Sequence, residues 1–160
     1  KATAGEARQP AEGRSELLLA GCGAHHGIGL TSDGAVASWG QGAAGQLGHG
    51  DRADQTSPRE LRALAGRGVV AVAAGDWHSV ALTDAGLVLS WGDGTSGQLG
   101  HGNRDREELA PRALDGLDRV VAVAAGGAQT LAVTDKGRIY AWGRQLRQAE
   151  PIQFANELSG

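Results

Sequence analysis

Methionine is absent from this 160-residue chain, cysteine occurs once, and the aromatic residues are four Trp, one Tyr and one Phe. One cysteine, Cys22, excludes a disulfide framework and a cysteine-built metal site, and it favours a reducing compartment. No apolar run approaches the roughly 20 residues of a membrane-spanning helix, so membrane insertion is not expected. No basic-then-apolar leader opens the chain, and Glu6, Glu12 and Glu16 argue against an organellar transit peptide. Lysine is scarce (Lys1 and Lys136), and 15 basic residues stand against 18 acidic ones. A net charge of −3 supplies no field to recruit nucleic acid, so no direct nucleic-acid contact is expected. The lack of Met in a chain starting at Lys1 reads as a processed product or a fragment. With so few aromatics, the apolar content is mostly Ala, Val and Leu, which suits thin, closely stacked layers.

What is present is a repeat. Val69–Gly102, VVAVAAGDWHSVALTDAGLVLSWGDGTSGQLGHG, lies over Leu17–Gly50 when moved back 52 residues. Moved forward 51, it follows Val120–Gly143. Trp39, Trp91 and Trp142 then coincide, as do Gly34, Gly86 and Gly137, and GQLGHG occurs at Gly45 and Gly97. A period near fifty marks a solenoid, a propeller or an array. Residues 1–16 match no part of it and read as a polar extension or linker. The units run over about 17–68, 69–119 and 120–160, the last contracted: 7 residues separate Gly143 from Pro151, where 17 separate Gly40 from Pro58.

Each unit reads as four strands. LLLAGCG, VVAVAAG and VVAVAAG are short apolar runs closed by Gly, expected as strands buried on both faces. HGIGLT, HSVALT and QTLAVT follow, then turns ending in Gly34, Gly86 or Gly137, then strands ending in Trp-Gly. A Gly-rich loop leads to Pro58 or Pro111, expected to start an outer edge strand. Four antiparallel strands per unit make a propeller blade.

The pattern AAGxxHSxALTxxGxxxxWGxxxxGQLGHG resembles the repeat of the regulator of chromosome condensation family. The resemblance covers about Leu17 to Phe154. It implies an all-β fold: a partial β-propeller of about three four-stranded antiparallel blades, cut from the family's seven-bladed ring. It also implies a non-enzymatic scaffold for protein partners, inside a larger complex or the rest of a longer chain. The implied location is intracellular, in cytoplasm or nucleus, with an organelle as the other option. The alternative it carries is guanine nucleotide exchange on a small GTPase, or chromatin-associated regulation. No exchange wedge and no basic face are recognisable. In the family's plant ultraviolet-B photoreceptor branch a Trp follows the Gly that closes the first strand. Here that position holds Ala24, Asp76 and Gly127, so light sensing is not carried over.

Candidate chemistry is sparse, and no catalytic, cofactor-binding or metal-binding residue is assigned. GxGxxG at Gly40–Gly45 and Gly92–Gly97 follows a strand, but no helical pattern comes after it to present a nucleotide-binding N-terminus. His78 and Ser79 are adjacent on a strand and point to opposite faces, which excludes them as a hydrolytic pair; His78 is expected to tie a blade turn to backbone groups. His25, His26, His49 and His101 are spread around the arc, whereas zinc needs three or four converging ligands. Cys22 stands where Ala74 and Ala125 stand and is expected to be small and buried. Trp39, Trp91 and Trp142 are expected to pack between blades, with Gly34, Gly86, Gly137 and His78 as further structural positions. Trp77 does not recur, since His25 and Ala128 take its place. That makes it either a core residue or, with Arg52, Arg104 and Arg106, a protein contact.

Overall fold

The computed structural model describes residues 16–102, 106–144 and 148–154. The first blade holds β1 (Leu17–Cys22), β2 (His26–Thr31), β3 (Val36–Gly40) and β4 (Gln55–Glu60). The second holds β5 (Val69–Ala74), β6 (His78–Thr83), β7 (Val88–Gly92) and β8 (Glu108–Ala113). The third holds β9 (Val120–Gly126), β10 (Gln129–Thr134), β11 (Ile139–Gly143) and β12 (Gln148–Phe154). Each set forms one sheet with its strands paired in chain order, every pair antiparallel. The fold is all-β, three blades of a partial propeller, as the repeat implies.

Chain chemistry sets the blade. β2 and β3 are joined by a tight turn whose Gly34 has φ +81°, and Gly86 and Gly137 repeat it at +79° and +73°. That left-handed conformation strains any residue with a Cβ. Alternation then sorts the faces. Ile28, Leu30 and Val36 point from blade 1 into a core shared with Ala81, Leu89 and Trp91 of blade 2. Val80, Leu82 and Val88 point the other way, to Ala132 and Trp142 of blade 3. Among the described residues the core is therefore divided between the two blade junctions.

Three expectations need correction. The first strands are not buried on both faces. β1 is almost wholly exposed, β9 mostly so, and β5 is buried only at its ends. The first strand is a free edge of each sheet, and one face of each end blade is uncovered among the described residues. Cys22 is exposed for the same reason. The prolines do not start the outer strands but sit inside them, where the register slips between Ser38 and Gly40 and between Ser90 and Gly92. An irregularity on an edge strand has no ladder bond there for Pro to break.

Candidate functional site: the inter-blade latch and the loop end

Both blade junctions are closed by the same four-part polar latch. The preceding blade supplies a histidine at the start of its second strand and a backbone carbonyl from its Gly-Gln-Leu-Gly loop. The following blade supplies a hydroxyl and an indole. At the first junction His26 Nε2 lies 2.7 Å from Ser79 Oγ. Ser79 Oγ and Trp91 Nε1 each donate to the Gln46 carbonyl at 2.9 Å. At the second, His78 Nε2 lies 2.9 Å from Thr130 Oγ1, and Thr130 Oγ1 and Trp142 Nε1 donate to the Gln98 carbonyl at 2.8 and 2.9 Å. Gly48 and Gly100 are required beneath the indoles: a Cβ there would sit 2.7 Å from Trp91 Nε1 or Trp142 Nε1.

The latch fixes the histidine tautomer. The hydroxyl has a single proton, and it goes to the Gln carbonyl, so the imidazole Nε2–H must be the donor to the hydroxyl oxygen. Nδ1 of His26 and of His78 is then an unprotonated acceptor, buried and without a partner among the described residues. Burial pushes both pKa values down to about 4, helped by His25 beside His26 and by His26 near His78, with Asp93 opposing at His78. His26 and Ser79 thus sit at the distance of a hydrolytic dyad, but with the proton pointing the wrong way and both side chains buried. A nucleophilic serine would need Nε2 as acceptor. His78 bonds the next blade's Thr130 hydroxyl, a correction to the expectation that it ties a blade turn to backbone groups.

One difference between the two loops is testable. In blade 2, Gln98 Nε2 donates to Asp93 Oδ2 at 2.7 Å. In blade 1 the Asp93 position is Gln41, and Gln46 Nε2 is buried with no partner among the described residues. Leaving such a donor unpaired costs about 1–3 kcal/mol. Gln41→Asp is therefore expected to raise stability by about 1 kcal/mol, read from the urea midpoint; an unchanged or lower midpoint refutes the equivalence of the two loops.

Trp77 lies in the β5–β6 turn, half-buried, and stacks on His25 of the β1–β2 turn, with ring centroids 3.9 Å apart and planes at 27°. Arg52, exposed, donates through Nε and Nη2 to Glu107 of the next blade. Arg106 is exposed. Arg104 falls outside the described residues. Trp91 and Trp142 are fully buried, but Trp39 is only half-buried and its indole has no partner among the described residues, which place no blade against that face. His49 and His101 each bond a serine of their own blade, Ser38 and Ser90, at 3.0 Å, and burial lowers both pKa values. Among the described residues no group of three or more His, Cys, Asp or Glu side chains converges on a metal-sized site. The GxGxxG segments run into loop rather than helix. Sequence reasoning missed the latch. Its visible trace is a hydroxyl residue following His78 and recurring as Thr130, but the acceptors are backbone atoms.

The architecture recurs in known proteins. Human WBSCR16 matches over 96% of this chain and 41% of its own, with a TM-score of 0.82 and 29% identity. The ultraviolet-B receptor UVR8 of Arabidopsis thaliana is 44% identical over 132 residues, 81% of this chain and 30% of the receptor. The human E3 ubiquitin-protein ligase HERC2 is 42% identical over 125 residues, 76% of this chain and 3% of the ligase. The chain thus spans less than a third of the length of these two relatives. The model of the Regulator of chromosome condensation (RCC1) repeat matches residues 33–82 and 85–133, and a second model of that repeat matches 69–98. Those residues hold both Gly-Gln-Leu-Gly loops and the hydroxyls Ser79 and Thr130 of the two latches, and the chain belongs to the RCC1 repeat family.

Proposed function

We propose that the chain is a non-enzymatic scaffold whose loop end binds a protein partner, as part of a larger intracellular complex or a longer chain. The observation that carries this is the His25–Trp77 stack, which spans two blades at positions the repeat does not dictate. The latch leaves the loop ends as the places where the units differ in sequence, so an aromatic pair there is free of the packing that fixes Trp91 and Trp142. Trp and Arg are the side chains favoured in protein interfaces, and Arg52 and Arg106 are exposed in the loops that follow β3 and β7. The Arg52–Glu107 pair is exposed at both partners and adds little to stability, which leaves it free to serve contact. The protonation of the His26–Ser79 pair supports the non-enzymatic part of this reading.

Quantitative affinity purification from cells with wild-type bait and a Trp77→Ala, Arg52→Ala bait tests it. The doubly substituted bait is expected to lose one or a few proteins about tenfold, with its unfolding midpoint held within about 0.5 kcal/mol of wild type. An unchanged set of co-purifying proteins would remove the loop end as the contact surface.

A further inference from the structure

Two hollows open between neighbouring blades, one at each junction, and the repeat builds them alike. The first, about 410 Å³, is lined by His49, Arg59, Glu60 and Arg62 after β3 and along β4, and by Ala110 of blade 2. The second, about 280 Å³, is lined by His101, Arg112 and Asp115, and by Tyr140 of blade 3. Register sets the correspondence. Arg59 pairs with Ser38 and Arg112 with Ser90. Leu61 N then donates to the Val36 carbonyl and Leu114 N to the Val88 carbonyl, so Arg62 and Asp115, the next residues, are equivalent. The histidines are wall in both hollows. Ser38 Oγ gives its proton to the Leu47 carbonyl at 2.7 Å, so His49 Nε2–H donates to Ser38; His101, Ser90 and Leu99 repeat this. Burial first, and then Arg59 or Arg112, lower both imidazole pKa values, so the rings add no charge at neutral pH.

The charges differ where the shapes agree. In the second hollow Arg112 Nη1 donates to Glu108 at 2.7 Å, and the other charged residue of the lining is the acid Asp115. In the first, Gln55 stands where Glu108 stands, and Arg59 keeps only a loose contact with Asp51 at 3.8 Å. Arg62 takes the place of Asp115, and its guanidinium has no partner among the described residues. Glu60 is the one acid of this lining, where blade 2 has Ala113, and it forms no ion pair with either arginine among the described residues. Two guanidiniums without a close carboxylate present planar forks of N–H donors, whose complement is an oxyanion. We propose that the first hollow binds an acidic peptide segment of a protein partner, Arg59 and Arg62 donating to a side-chain carboxylate or phosphate. The hollow is larger than either group alone, so it also receives part of the chain that carries the charge. It is a second contact, built on β4 and the residues after it, and independent of Trp77 in the β5–β6 turn.

Fluorescence anisotropy with fluorescein-labelled peptides tests this on the purified protein at about 50 mM salt, where exposed charges are weakly screened. One probe is hexaglutamate; the other is a peptide of equal length with a single phosphoserine among alanines. At least one is expected to bind with a Kd below about 1 mM, and the tighter of the two names the oxyanion. Arg62→Gln should weaken that binding at least about fivefold, and Glu60→Gln should tighten it by removing the lining's own carboxylate. Arg112→Gln makes the same change in net charge at the second hollow and should leave the affinity within about twofold. Arg62, Glu60 and Arg112 are exposed, and tryptophan fluorescence reports whether each variant is folded. Three results would each overturn the proposal: binding of neither peptide, equal losses at Arg62 and Arg112, or inorganic phosphate displacing the peptide at the peptide's own Kd. Loss of a Trp77-dependent partner would leave these affinities where they are.

Discussion

Replacing Trp91 by alanine is expected to cost about 3–5 kcal/mol of folding stability, the range for deleting a fully buried large aromatic side chain. The expectation rests on position as well as size. Trp91 is fully buried at the first junction, packed against Gly48, and its Nε1–H reaches the Gln46 carbonyl at 2.9 Å. Alanine would leave a cavity between two blades. Most of the loss is packing, because Ser79 Oγ still donates to the same carbonyl. Trp91→Phe separates the terms: it keeps most of the apolar volume and drops the indole N–H, and should cost nearer 1–2 kcal/mol. Trp142→Ala should match Trp91→Ala, since its environment repeats at the second junction. Trp39→Ala should cost only about 1 kcal/mol, in proportion to a half-buried side chain with no hydrogen bond. Urea unfolding at one fixed protein concentration measures all four, because association would otherwise shift the midpoints. A loss below about 1 kcal/mol at Trp91, or equal losses at Trp39 and Trp91, would show that the junction does not hold the fold.

That ordering also shows where sequence reasoning stops. The blade was legible because turn glycines and Trp-Gly recur at fixed offsets, and those offsets are set inside a single sheet. Gly34, Gly86 and Gly137 are legible in the sequence, since a tight turn requires them locally. The latch was not legible in this way. Its partners are tens of residues apart, His26 from Ser79 and Gln46 from Trp91, and the Gln46 and Gln98 carbonyls act regardless of the side chains they belong to. Trp39 and Cys22 were misjudged for a related reason. Equivalence in the repeat gives equal positions in a blade but not equal neighbours, and among the described residues blade 1 has a neighbour on one side only. Trp77 and His25 could be singled out as non-repeating, yet their stacking depends on how far one blade is turned against the next.

Acid should weaken the chain through the two latch histidines, steeply between about pH 6.5 and pH 4. An unfolded histidine titrates near pH 6.5, whereas burial holds His26 and His78 down to about 4 in the fold. A folded pKa below the unfolded one means that the unfolded chain takes up protons first. The stabilisation is therefore complete above about pH 6.5 and is lost as the pH falls toward 4. A shift of that size at His78 corresponds to about 3 kcal/mol over the whole interval, and to about 2 kcal/mol by pH 5. The chemistry agrees with the sign. A proton on Nδ1 would place a charge in a buried site where that atom has no partner, next to His26 and only partly offset by Asp93. The third unit suggests the control, because Gln129 fills the same position without titrating. Urea midpoints for wild type and for His26→Gln, His78→Gln should be compared at pH 7.5, 6 and 5, at one protein concentration. The variant starts less stable, having lost the fit of two imidazoles, but its midpoint should fall much less between pH 7.5 and pH 5. The difference between the two slopes isolates the histidines from the carboxylates, which both proteins share. Parallel slopes would mean that His26 and His78 take up protons in the fold as readily as in the unfolded chain, and the latch would lose its claim to be the acid-labile joint between blades.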